Sequence, residues 1–175
     1  MTKIVTVFGS SKPKPGDEEY DTAFKLGKIL AQNGFNVCTG GYQGIMDAVS
    51  KGASEAGAKP IGVTVDTFSS KPSKYLHQEI KCASLFERIQ KLVELGDAYI
   101  VLRGGTGTLV ELSIVWEMFN KNLMPEKPIA CHGEMWKNIV TTLDERMKFE
   151  KRNYGFIFIA DTVEECAEYI ISKFK

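Results

Sequence analysis

The chain has 175 residues, of which 43% are hydrophobic and 25% charged, enough apolar content for one domain over 1–175 with a full core. Its 22 Lys and Arg balance 22 Asp and Glu, so bulk charge draws it to neither nucleic acid nor an anionic membrane, and any anion must be held by a local site. Four scattered cysteines without a C-x-x-C, and two isolated histidines, His77 and His132, argue against a disulfide framework, and no metal site is expected.

Taken in chain order, short β-rich runs alternate with longer amphipathic stretches. Ile4 to Phe8 (IVTVF) reads as a strand, and Met1 to Phe8 shows no signal-peptide pattern. Tyr20 to Asn33 is a helix stopped by Gly34, and Phe35 to Cys38 a second strand. Ile45 to Ala56 is a helix and Pro60 to Val65 a strand, followed by a polar loop from Ser69 to His77. Glu79 to Cys82 is a short strand and Leu85 to Leu95 a helix. Ala98 to Leu102 (AYIVL) is the near-continuous apolar run of a strand buried on both faces. Leu109 to Asn120 is a helix, Pro128 to Cys131 a strand, Met135 to Phe149 a helix, Phe156 to Ile159 a strand and Thr162 to Phe174 a closing helix. This alternation predicts an α/β fold, a Rossmann-like doubly wound parallel sheet with helices on both faces. No apolar stretch is long enough to cross a bilayer, so a cytoplasmic protein is expected.

In such sheets ligands sit beyond the carboxyl ends of the strands. Three glycine-bearing turns fall there: Gly9-Ser10-Ser11, Gly40-Gly41-Tyr42-Gln43-Gly44 and Gly104-Gly105-Thr106-Gly107-Thr108. Glycine permits sharp turns and close approach, and each turn opens a helix whose free N–H groups favour an anion. Three on one edge point to a phosphorylated ligand. The first turn has no G-x-G-x-x-G and the chain no G-x-x-x-x-G-K-[ST], against a dinucleotide dehydrogenase and a P-loop NTPase.

Thr108 to Glu111 fits a capping box, with Thr108 as N-cap, and Ser84 to Glu87 fits a second. Arg88 follows in the first turn of its helix, where a cation opposes the helix dipole, and it has no carboxylate three or four residues away. Glu111 also lacks a helical ion partner, although the capping box offers it a purely local role. Both helices start at the carboxyl edge, so Arg88 and Glu111 are candidates to face one cleft. Trp116 and Phe119 read as packing residues, and Lys12, Lys14 and Lys71 as solvated loop lysines.

In this order and spacing, Gly9-Ser10-Ser11, Gly40-Gly41-x-x-Gly44-Ile45-Met46, Arg88 and Gly104-Gly105-Thr106-Gly107-Thr108-x-x-Glu111 resemble the LOG (Lonely Guy) family, also labelled "possible lysine decarboxylase" and related to the molybdenum cofactor carrier proteins. The resemblance runs from about Thr2 to Trp136. It implies a Rossmann-like homodimer that hydrolyses the N-glycosidic bond of a nucleoside 5′-monophosphate such as AMP or an N6-modified AMP. It places the catalytic pair on Arg88 and Glu111. The 5′-phosphate would then lie on Gly104 to Thr108, with Gly9, Ser10, Gly40 and Gly41 closing the phosphate and ribose side, and no cofactor taking part. Two positions depart from the family. Its M-H-x-R-K stands here as Leu85-Phe86-Glu87-Arg88-Ile89, and the proline before its glycine pair is Arg103. These departures keep open a carrier that binds a phosphorylated pterin or nucleotide without turnover.

Overall fold

A computed structural model describes residues 2–175; Met1 lies outside the described residues. Seven strands form one parallel sheet: β1 (Ile4–Phe8), β2 (Asn36–Thr39), β3 (Ile61–Val65), β4 (Gln78–Cys82), β5 (Ala98–Val101), β6 (Ile129–His132) and β7 (Ile157–Ala160). Their order is β4-β3-β2-β1-β5-β6-β7. The chain thus winds outward from β1 to β4, then restarts on the other side of β1. The order reverses at the β1/β5 pair, in register from Val5 opposite Ala98 to Phe8 opposite Val101.

Six helices accompany the strands: α1 (Glu18–Gln32), α2 (Ile45–Glu55), α3 (Leu85–Leu95), α4 (Thr106–Asn120) and α5 (Glu134–Phe149) connect them, α6 (Val163–Ser172) follows β7, and β3 reaches β4 through a loop without a helix. Right-handed crossovers send the two directions of winding to opposite faces. One core accordingly gathers Leu26, Leu30, Val49 and Ile170 of α1, α2 and α6 against Val5, Val7 and Ile100. The other gathers Leu92, Leu112, Phe119 and Trp136 of α3, α4 and α5 against Phe8, Tyr99 and Val101. β1 and β5 are buried almost throughout, which is why IVTVF and AYIVL carry no polar alternation. On the first face, a Cβ at Gly27 would strike the Val49 carbonyl and one at Gly52 the Phe24 carbonyl. The two glycines let α1 and α2 pack backbone against backbone.

The predicted elements are all present, with boundaries shifted by up to three residues. The largest shift is in α4, which begins at Thr106 with Gly105 as its N-cap and not at Leu109 with Thr108 as cap. The Leu109 N–H already donates to the Gly105 carbonyl at 3.0 Å. At the other predicted capping box Ser84 Oγ accepts from the Glu87 N–H at 3.2 Å, while the Glu87 carboxylate reaches one residue past the cap and accepts from the Ala83 N–H at 2.7 Å.

Candidate active site

The three glycine turns meet at the carboxyl edge of β1, β2 and β5. Backbone hydrogen bonds stitch them together: the Ser10 N–H donates to the Arg103 carbonyl at 3.0 Å, and the Ile45 N–H to the Ser10 carbonyl at 2.8 Å. The Trp136 indole donates to the Leu102 carbonyl at 2.9 Å and fixes the end of β5 from below. Gly44 has φ +71, and a Cβ there would strike the Ser10–Ser11 backbone. A side chain at this position would separate the first two turns.

Between the turns opens a cleft of about 350 Å³. Its walls include Gly9, Ser10, Gly40, Arg88, Gly105, Thr106, Gly107, Thr108 and Glu111. Gly41 and Gly104 are not among its lining residues. Gly41, at φ +77, packs on Thr64 and Gly62, and Gly104 lies under the Thr108 side chain. They shape the turns. The α4 amino end faces the cleft through Thr106, Gly107 and Thr108, whose N–H groups have no acceptor within the helix. Such an end attracts an anion.

Arg88 is buried, yet three of its contacts are to groups that carry no full charge. Its Nε donates to the Val63 carbonyl at 2.8 Å and its Nη2 to the Gly40 carbonyl at 3.1 Å, while Met46 Sδ lies 3.9 Å from Nη2. Its Nη1 stands 3.5 Å from Glu111 Oε1. The guanidinium also lies 5.7 Å from the Tyr42 ring centroid, within cation–π range. A Cβ at Gly40 would overlap Arg88 Nη2 and come within 2.7 Å of Met46 Sδ, so the second turn must lack a side chain for the arginine to sit there.

Glu111 is buried on α4, and its carboxylate points to Arg88 instead of back to the helix start. Burial pushes its pKa up to about 7, and the Arg88 charge offsets only part of that shift. At neutral pH it is poised between acid and base.

Sequence reasoning missed several residues of this cleft. Tyr42, Met46, Phe68 and Ser70 line it, and so does Lys12, which reads as a solvated lysine. Tyr42 lies in the second turn, Met46 in the first turn of α2, Lys12 in the loop before α1, and Phe68 and Ser70 in the loop after β3, segments that only the sheet brings together. The buried Asp47 was also missed. It accepts from Tyr20 Oη at 2.5 Å and from Ser73 Oγ at 2.7 Å. Trp116 and Phe119 are core residues, as their spacing predicts. His132 and Arg103 lie outside this cleft, in a smaller depression with Glu18 and Glu19, where Arg103 pairs with Glu19 at 2.8 Å.

The cytokinin riboside 5′-monophosphate phosphoribohydrolase of Rhodococcoides fascians is 30% identical over 113 residues, 62% of this chain and 57% of that protein. The corresponding LOG enzyme of Oryza sativa is 32% identical over 130 residues, covering 70% and 52%. The chain thus spans little more than half the length of these two relatives. LOG5 of Arabidopsis thaliana is 30% identical over 165 residues, 90% of this chain and 72% of that protein. Among solved structures, the molybdenum cofactor binding protein of Rippkaea orientalis superposes with a TM-score of 0.78 at 24% identity, over 100% of this chain and 99% of the other, a likeness of fold. Residues 2–165 match the SLOG cluster4 family. The chain belongs to that family, within the LOG-like group to which its glycine turns and the Arg88–Glu111 spacing point.

Proposed function

We propose that this protein hydrolyses the N-glycosidic bond of a nucleoside 5′-monophosphate, AMP or an N6-modified AMP, releasing the free base and ribose 5-phosphate. The observation that carries the reading is the buried Arg88–Glu111 pair beside the open amino end of α4. The 5′-phosphate rests on the N–H groups of Thr106 to Thr108, with the threonine hydroxyls, Ser10 and Lys12 as further partners. Cleavage passes through an oxocarbenium-like ribosyl centre. Glu111, when ionised, stabilises that positive charge, holds the ribose hydroxyls and takes the proton of the attacking water. Arg88 holds Glu111 in place and polarises the departing base. Water adds to C1′ and gives one proton to Glu111, the C1′–N bond breaks, and the base leaves with the electron pair and takes a proton from solvent, to which Glu111 then returns its own.

The homologues named as cytokinin riboside 5′-monophosphate phosphoribohydrolases support this chemistry, at about 30% identity. A second reading, a carrier that binds without turnover, is favoured by one observation. Phe86, where the family motif has histidine, is 82% exposed and brings no polar group to the site. Leu85, Phe86, Leu109 and Val110 stand exposed at the starts of α3 and α4. This apolar rim suits a homodimer joined beside the cleft. The four free, buried thiols fit the reducing cytoplasm.

Incubation with AMP and with N6-isopentenyl AMP, followed by assay of free base and ribose 5-phosphate, tests the reading. Release that vanishes in Glu111→Ala is expected. A raised melting temperature with AMP but no release would establish the carrier instead.

A further inference from the structure

The cleft is wider than phosphate and ribose require. Its phosphate end lies beyond β5, and β3 is three strands away in the order β5-β1-β2-β3. Three strand spacings make roughly 14 Å. Arg88 bridges this span, held by the Val63 and Gly40 carbonyls and reaching to Glu111. The loop after β3 then brings Phe68 and Ser70 into the cleft wall.

Phe68 is 45% exposed at the cleft rim, an unfavourable place for a large apolar ring. Its ring meets that of Tyr42 at 5.7 Å, tilted by 45°. Tyr42 itself is fixed: its hydroxyl donates to the Val65 carbonyl and accepts from the Val65 N–H, both at 2.8 Å. The later part of the same loop is tied down as well. The Ser73 N–H donates to the Gly41 carbonyl at 2.9 Å, Ser73 Oγ donates to Asp47, and Gln43 Nε2 donates to the Lys71 carbonyl at 3.1 Å. An anchored loop thus presents one aromatic face to the cleft, at the end away from the phosphate turn. Neither phosphate nor ribose has a use for such a face; a planar heteroaromatic ring does.

We propose that Phe68, backed by Tyr42, is the stacking platform for the base, and that it sets the preference of the site for ligands carrying a planar base. This rests on the mononucleotide reading above. Stacking favours a large ring with little regard for its hydrogen-bonding edge, so purine monophosphates should bind more tightly than pyrimidine monophosphates.

The test compares wild-type, Phe68→Ala and Phe68→Tyr proteins by calorimetric titration with AMP, used as its carbon-linked C-nucleoside analogue that cannot be hydrolysed, and with ribose 5-phosphate, which keeps the phosphate but lacks the base. Phe68→Ala is expected to weaken AMP binding roughly five- to tenfold, the lower range for an aromatic stack, and to leave ribose 5-phosphate binding unchanged. Phe68→Tyr should restore AMP binding. Equal AMP affinity in wild type and Phe68→Ala would overturn the proposal while leaving the mononucleotide reading intact, and so would equal weakening of both ligands. Failure of wild-type protein to bind either ligand would overturn both.

Discussion

Two arginine–glutamate pairs stand at the carboxyl edge of the sheet, and they differ in an instructive way. Arg103 and Glu19 approach to 2.8 Å, with side chains 63% and 35% exposed. Arg88 and Glu111 stand 3.5 Å apart, with side chains 8% and 11% exposed. The closer pair is screened by water, and such pairs contribute about 0–1 kcal/mol. The more distant pair is where burial outweighs the attraction between the charges and lifts the carboxyl pKa to about 7. Distance alone ranks the pairs the wrong way round; desolvation separates the one suited to chemistry from the one that decorates a surface.

The sharpest way to break this contrast is to remove the buried pair. Glu111→Ala and Arg88→Ala should each lower turnover of a nucleoside 5′-monophosphate by roughly 10²–10³, the usual cost of losing one electrostatic contact to the transition state. Far-ultraviolet dichroism would show the fold retained, and activity surviving in both variants would remove the assignment. Gly40→Ala comes next. Its methyl group would occupy the place of Arg88 Nη2, so turnover should fall by roughly 10²-fold with no charge altered. Steady-state kinetics beside a thermal melt would separate displacement of Arg88 from general unfolding.

The pH dependence of stability probes the same burial. The Glu111 pKa rises from its ordinary 4.5 to about 7 on folding, so between these values the folded chain binds more protons than the unfolded one. Stability should therefore fall as pH rises from about 4.5 to 7, by about 3 kcal/mol, an order-of-magnitude figure. Denaturant melts of Glu111→Gln, which mimics the protonated form, should lack this loss; parallel pH profiles for the two proteins would contradict the burial effect. The smallest effect belongs to the exposed pair. Arg103→Ala should shift stability by less than about 1 kcal/mol and leave the kinetics unaltered. A large loss of turnover there would erase the distinction between the two pairs.

The sequence carried the sheet well, because IVTVF and AYIVL are apolar on both faces and their flanking glycines mark the turns. The start of α4 was less legible. Its cap is Gly105, which has no side-chain signal, and the Thr108–Glu111 pattern suggested a later start. The same misreading offered Glu111 a local role, whereas a partner on another helix decides where its carboxylate points. That Arg88 answers to something outside its own helix could be read from its unpaired place in a first turn. That this includes two backbone carbonyls and a tyrosine ring could not, since those groups come from β3 and the turn between β2 and α2. Phe68 and Ser70 escaped for a similar reason, as a loop residue shows its destination only once strand order is known.

Asp47 joins three parts of the chain through one buried carboxylate: Tyr20 on α1, Asp47 on α2 and Ser73 in the loop after β3. A buried carboxylate held by two hydroxyls does not tolerate the loss of one donor as it would in water. Tyr20, Asp47 and Ser73 should therefore behave as one unit. Paired substitutions such as Tyr20→Phe with Ser73→Ala should deviate from the sum of the single changes by about 0.5–3 kcal/mol. In a lineage under drift, replacing any one of the three would change which replacements of the others are tolerated. The loop that carries Phe68 is thus tied, through a carboxylate outside the cleft, to a helix on the opposite face of the sheet from Arg88 and Glu111.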